Sequence, residues 1–199
     1  MTSPQRIQIT LYTKHNSTLS KDVLIDRFHA WIQNDLLEEI PIDVADYSHV
    51  SDGPGILLIT HEADYAFDEV GGAGLRYVRK KQVPDTLEHA IVQGFEQVLK
   101  AAKRLENDTS GAVSFDPTRV EITILDRRLY PNSAATIDAV QPVLNRLFSS
   151  IFKTEQVEFD RISEDARYPF ALTLRAPHAL QIDEISPASV SEVVLVPTL

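Results

Sequence analysis

The sequence predicts an α+β fold: a mostly antiparallel sheet with three long helices, built from duplicated β-α-β-β(-β) units related by a pseudo-twofold axis. Three observations carry that expectation. Short runs alternate apolar and polar residues at the strand period, and longer runs place apolar residues at helical spacing. The same order of elements also recurs at an offset of about 113–115 residues.

The elements follow in order. "RIQITLYTK" alternates Ile7, Ile9 and Leu11 against polar neighbours, as a half-buried strand does. Ser20 is placed to cap a helix whose Leu24, Phe28, Trp31 and Ile32 share one face. "IPIDVADY" and "GILLITHE" read as a hairpin around a loop containing "DGPG", and "GLRYVRKKQ" adds a further strand. A helix of about 85–106 follows, with Asp85 as its expected N-cap and Leu87, Ile91, Phe95, Val98, Leu99 and Ala102 as its stripe. "VEITILDRR" then repeats the first strand. The next helix aligns Ile137, Val140, Leu144, Leu147 and Ile151, with Pro142 expected to start or kink it. "EQVEFDRI" and "PFALTLRA" supply two more strands, and "SEVVLVP" a last one. The chain 1–199 reads as a single domain: repeat 1 at about 6–80, the linking helix, repeat 2 at about 119–175, and a tail at 176–199.

Composition bounds the function. At 199 residues, 43% hydrophobic and 24% charged, the chain has the make-up of a soluble globular protein. With no cysteine, disulfides and thiolate chemistry are excluded. A net charge of −10 argues against nucleic acid as a partner, since displacing counterions needs a basic footprint. No apolar run reaches the length of a membrane span, and "MTSPQRIQITLYTK" lacks the layout of a secretion signal, so the expected compartment is the cytoplasm.

Several apparent motifs fail on geometry. "VGGAGL" precedes a strand rather than a helix, so its glycines suit a turn or bulge better than a phosphate loop. "HEAD", His61–Asp64, ends a strand on which neighbouring side chains point to opposite faces, so it does not grip one metal ion. No G-x-S-x-G elbow is present. The sequence implies neither metal nor cofactor.

One segment stands out. Glu38, Glu39, Asp43, Asp46, Asp52, Glu62, Asp64, Asp68 and Glu69 follow one another with no Lys or Arg between them. If the hairpin centres near Ser51 and Asp52, Asp43 lies opposite Thr60, Pro41 opposite Glu62 and Tyr47 opposite Ile56. Ile42, Val44, Leu57 and Ile59 then face the core, while Asp43, Thr60 and Glu62 gather on the other face. The positions at the repeat offset, Glu158, Thr173 and Arg175, can neutralise themselves, whereas two carboxylates and a threonine cannot. The cluster is therefore either a site for a cationic or polyhydroxyl ligand or a basic partner, or is neutralised by Arg76, Arg79 or Lys80 across strands. Tyr47, His49 and Asp52 form a separate candidate recognition loop at the far end of the hairpin.

In element order the doubled unit resembles the effector-binding domains of the gyrase-inhibitor-like class and the related SOUL haem-binding group. That resemblance implies a small molecule bound between two halves, with an acidic residue meeting a cationic ligand. Glu62 and Asp43 are the residues that match the acidic part, with Tyr47 and Trp31 as apolar walls. The functional expectation is a non-enzymatic binding module for a small, cationic ligand or a protein partner, with Asp43, Tyr47, Thr60 and Glu62 as ligand-binding residues. The alternative is a hydrolase using Asp43 and Glu62 as general acid and base. Partner classes are a small molecule or basic protein surface, and a homodimer through a sheet edge or the C-terminal tail.

Overall fold

The computed structural model describes residues 4, 6–51, 53–68, 72–81, 86–178 and 180–185. Eight strands run β1 (Ile7–Thr13), β2 (Pro41–Asp46), β3 (Ile56–Thr60), β4 (Ala63–Asp68), β5 (Gly74–Arg79), β6 (Phe115–Ile124), β7 (Glu158–Arg161) and β8 (Phe170–Arg175). They form one sheet in the order β2-β3-β4-β5-β1-β6-β8-β7, and every neighbouring pair is antiparallel. Among the described residues three α-helices complete the fold: α1 (Lys21–Gln33), α2 (Leu87–Asp108) and α3 (Ala134–Phe152).

Register explains the layering. Ile7, Ile9 and Leu11 of β1 stand opposite Arg79, Tyr77 and Leu75 of β5 and opposite Ile124, Ile122 and Val120 of β6. Those rows continue into Phe170, Leu172 and Leu174 of β8 on one side and into Tyr65 and Phe67 of β4 on the other. Side chains alternate between faces along a strand, so this whole apolar set lies on one face. The helices cover it: α2 packs on β1, β5 and β6, and α1 on β2 and β3. Helix α3 meets α2 through Phe148 and Phe95, with ring centroids 5.2 Å apart. Gly94 is where α2 comes closest to the sheet, since a Cβ there would lie 2.9 Å from Ile9 Cδ1.

Helix α1 follows its pattern. Ser20 accepts from the Val23 N–H, and Leu24, Phe28 and Trp31 are buried. The other helices start differently from expectation. Thr86 caps α2 by accepting from the His89 N–H; Asp85 lies outside the described residues. Helix α3 starts at Ala134 behind Ser133 and runs through Pro142. Burial of Val140, Val143, Leu144 and Leu147 offsets the hydrogen bond lost at the proline.

Two strand expectations are corrected. Residues 63–68 form β4, a strand that the sequence reading passed over. The β2–β3 register is Asp43 opposite Ile59 and Asp46 opposite Ile56, with a bulge between Pro41 and Asp43. The register is thus shifted by one residue, and on β3 this exchanges the faces. Ile56, Leu58 and Thr60 are buried, while Leu57 and Ile59 lie on the helix-free face. On β2, Val44 packs against the core and Ile42 is 58% exposed. The strand beside β1 is β5, and the strand beside β6 is β8. By place in the sheet, β8 lies beside β6 as β5 lies beside β1, whereas β3, which the sequence offset aligns with β8, is two strands further out. The tail from 186 onward, including "SEVVLVP", lies outside the described residues.

Candidate functional site

The acidic segment draws its cations from three distant elements. Glu38 binds Lys100 of α2 at 2.7 Å and Gln97 at 2.9 Å. Asp64 binds Lys80, just past β5, at 2.7 Å. Asp46 lies 3.5 Å from Lys21 of α1. Arg79, expected among the neutralising residues, instead turns under α2, where it is 2% exposed and its Nη1 donates to Gln93 at 3.3 Å.

The expected site residues separate. Thr60 is fully buried; its hydroxyl donates to the Ala63 carbonyl at 2.8 Å and accepts from the Ala63 N–H at 3.0 Å, closing the β3–β4 turn. Asp43 stands opposite Ile59 on the helix-free face, exposed, and accepts from the Val44 N–H. Glu62 lies in the turn beyond β3. There it accepts from the Ile40 N–H at 3.3 Å and contacts His61 Nδ1 at 3.2 Å. Desolvation pushes its carboxyl up, but those two contacts outweigh it and its pKa is lowered. Tyr47 and His49 sit at the opposite end of β3 with rings stacked 6.5 Å apart. Tyr47 lines a cavity of about 290 Å³ with Leu24, Val50, Ile56 and Phe67. Asp52 lies outside the described residues.

The structure singles out a different carboxylate. Helix α1 ends with Asp35 at φ 52; the Leu36 N–H returns to the Trp31 carbonyl at 3.0 Å and the Asp35 N–H to Ile32 at 3.3 Å. This left-handed turn throws residues 35–39 across the sheet toward α2. Between them lies a cleft of about 630 Å³, with Leu36, Glu38 and Glu39 on one wall, Gln97, Lys100 and Arg104 on the other, and Tyr65 at its floor. Trp31 ties the walls together: its Nε1 donates to Asp108 Oδ2, at the end of α2, at 2.6 Å.

Glu39 is half-buried in this cleft. The Tyr65 hydroxyl donates to both its oxygens, at 2.9 and 3.0 Å, and Tyr77 hydrogen-bonds the same carboxylate. Burial raises the Glu39 carboxyl above its ordinary value of 4.5, the Tyr65 hydrogen bond opposes this, and Glu38 and Glu62 reinforce it. Among its described contacts Glu39 has no cation, whereas Glu38 beside it is lowered by its bond to Lys100. Burial, with Glu39 alongside, also raises both tyrosine hydroxyls, so they remain protonated donors. The cleft can therefore hold a compact positive group with oriented hydrogen-bond partners.

The sequence reading missed Glu39, Tyr65 and Tyr77. The alternation of Tyr65 and Phe67 was the available signal, and it places both on the face that carries the core. Among the described residues no group of three or more His, Asp or Glu side chains is placed to hold a metal, and no helix is long and apolar enough to cross a membrane. No family model matches this chain, and neither a curated protein nor a solved structure matches it.

Proposed function

We propose that this protein is a non-enzymatic binding module for a small ligand with a cationic group, which meets Glu39 in the cleft between residues 35–39 and α2. The observation that carries the reading is the half-buried, raised Glu39 carboxylate, which faces the cavity, accepts from the Tyr65 hydroxyl and has no cation among its own described contacts, Lys100 on the opposite wall being engaged by Glu38 and Glu96. A partly desolvated carboxylate of this kind is costly until a positive partner arrives, and a carboxyl raised by burial in a cleft is a candidate binding group. Arg104, on the opposite wall, suits an acidic or polar end of the same ligand. The acidic function expected of Asp43 and Glu62 thus passes to Glu39. The hydrolase alternative needs two carboxylates in one cleft, and nothing in the placement of Asp43 and Glu62 favours it. The same reading takes the two halves as duplicated units in which β4–β5 answer β7–β8 and β2–β3 are an insertion; its support is the shared pairing of each last strand with the first strand of its unit.

The test is calorimetric titration and thermal shift with putrescine, agmatine, choline and arginine, against wild type and Glu39→Gln. At least one amine should bind saturably, and Glu39→Gln should weaken it at least tenfold. If none binds, or the variant binds as well, the reading fails.

A further inference from the structure

A second cavity, of about 590 Å³, lies at one end of the central strands and carries the opposite charge. It is walled by Lys14 and His15 after β1, by Asp116, Thr118 and Arg119 of β6, and by Arg175 and His178 at the end of β8. Backbone bonds lock these elements together: the Lys14 N–H donates to the Ser114 carbonyl at 2.7 Å and the Ala176 N–H to Thr118 at 3.0 Å. In a chain of net charge −10, three fixed cations here face one lining carboxylate. That carboxylate is already engaged, since Asp116 Oδ1 accepts from the Thr118 N–H at 3.0 Å and from its hydroxyl at 2.5 Å.

The cations are held in ways that leave them available. Arg119 sits over the Tyr12 ring at 4.0 Å from its centroid, and its buried Nε has no hydrogen-bond partner among the described residues. A guanidinium fixed by an aromatic face keeps its fork of N–H donors for a planar or tetrahedral oxyanion. Tyr12 is itself anchored, donating to Glu121 at 2.6 Å. Lys14 Nζ is steadied by a neutral group, the Gln181 amide oxygen, at 2.7 Å. Among the described residues Arg175 is the one of the three in an ion pair, with the exposed Asp160 at 3.4 Å. His15, at the rim, is held at φ 55, a backbone state that side-chain-bearing residues rarely keep without compensation.

We propose that this cavity binds a phosphoryl group, as a dianion gripped by Arg119, Arg175 and Lys14. The excess of two positive charges among the lining residues matches that ligand, and the planar forks of two arginines match its oxygens.

The experiment is calorimetric titration of the full chain with inorganic phosphate and pyrophosphate in a phosphate-free buffer at constant ionic strength, with chloride and sulfate as references. Wild type should bind phosphate saturably in the low-millimolar range or tighter. Arg119→Gln and Arg175→Gln should each weaken it at least fivefold. Circular dichroism establishes that the variants fold, and Arg175→Gln alters an exposed side chain, so it carries the test if Arg119→Gln fails to fold. Absence of saturable phosphate binding, equal binding by Arg175→Gln, or an identical response to sulfate and chloride overturns the proposal.

Discussion

Replacing Trp31 with Phe should loosen both the fold and the cleft. Trp31 is fully buried, packs against Phe28 at a tilt with centroids 5.2 Å apart, and donates to Asp108 at 2.6 Å. A hydrogen bond to a charged group contributes about 1.5–3 kcal/mol, and the lower end applies because Asp108 is exposed and regains water. The smaller ring leaves a partly collapsed cavity that costs about 1–2 kcal/mol more. The total is about 3 kcal/mol, or about 6–12 °C in melting temperature for a domain of this size. Unfolding by heat and urea should be followed by far-UV circular dichroism, since the substitution removes the single tryptophan. Asp108→Asn is the control: it keeps an acceptor oxygen and relieves a negative charge at a helix C-terminus, so it should change stability by only about 0.5 kcal/mol. A Trp31→Phe cost under about 1 kcal/mol, or an equal loss in Asp108→Asn, would falsify this account of how the walls are joined.

Three further outcomes follow from the same contacts. Glu39 has a folded-state pKa above its ordinary 4.5, so its contribution to stability is fully present below that value and is lost as pH rises through the raised one. Glu39→Gln should therefore stabilise the empty protein at pH 7 and lose that advantage toward pH 4; a destabilised variant at pH 7 contradicts the burial argument. Thr60→Val should cost about 2 kcal/mol, because the buried Ala63 N–H loses its acceptor, while amine affinity stays unchanged; a change in affinity without a change in melting temperature would return Thr60 to the site. Arg79, buried with Nε and Nη2 lacking partners among the described residues, should give a stabilised Arg79→Met by about 1–2 kcal/mol, read by urea midpoint. A lower midpoint would show that Arg79 contributes an interaction its neighbours do not reveal.

The helices were legible because their signal is local. Leu24, Phe28 and Trp31, or Leu87, Ile91 and Phe95, announce one face through spacing alone, and each stripe is buried as expected. Strand β4 was not legible in the same way. "ADYAFD" carries acids at both ends, and Ala66 is buried on the face that no helix covers, so its alternation is blurred. The hairpin faces were misread because a bulge at Pro41–Asp43 moves the register by one residue, and neither residue signals it. The cleft was out of reach for a different reason. Glu39 depends on Tyr65 and Tyr77, and Glu38 on Lys100, partners about 26 to 62 positions away that are brought near only by sheet order and by the crossing of α2. What the sequence did announce was the shortage of cations around the acids of 38–69; their neutralisation is a tertiary property.

That neutralisation also bears on the sheet face left without helices. An apolar open face would invite stacking of sheets. Here the central row runs Ala66, Arg76, Thr10, Glu121 and Thr173, and beside it stand Tyr12, Arg119 and Thr123. Thr10, Thr123, Ala66 and Thr173 are each under 8% exposed although none of the described helices lies over them, because longer neighbours fold across them. Tyr12 and Thr123 both donate to Glu121, and Arg119 covers Tyr12. The face is thus closed by its own polar side chains, and the arginines that close it are charged groups that cannot be stripped of water cheaply. Association of two copies through this face would have to dismantle that network. Three of the more exposed apolar residues stand at the sheet's edges, Ile40 and Ile42 at the β2 edge and Ile162 beside β7. Burying this face in a sheet-to-sheet contact would therefore cost the desolvation of its arginines and Glu121 with little apolar area gained in return.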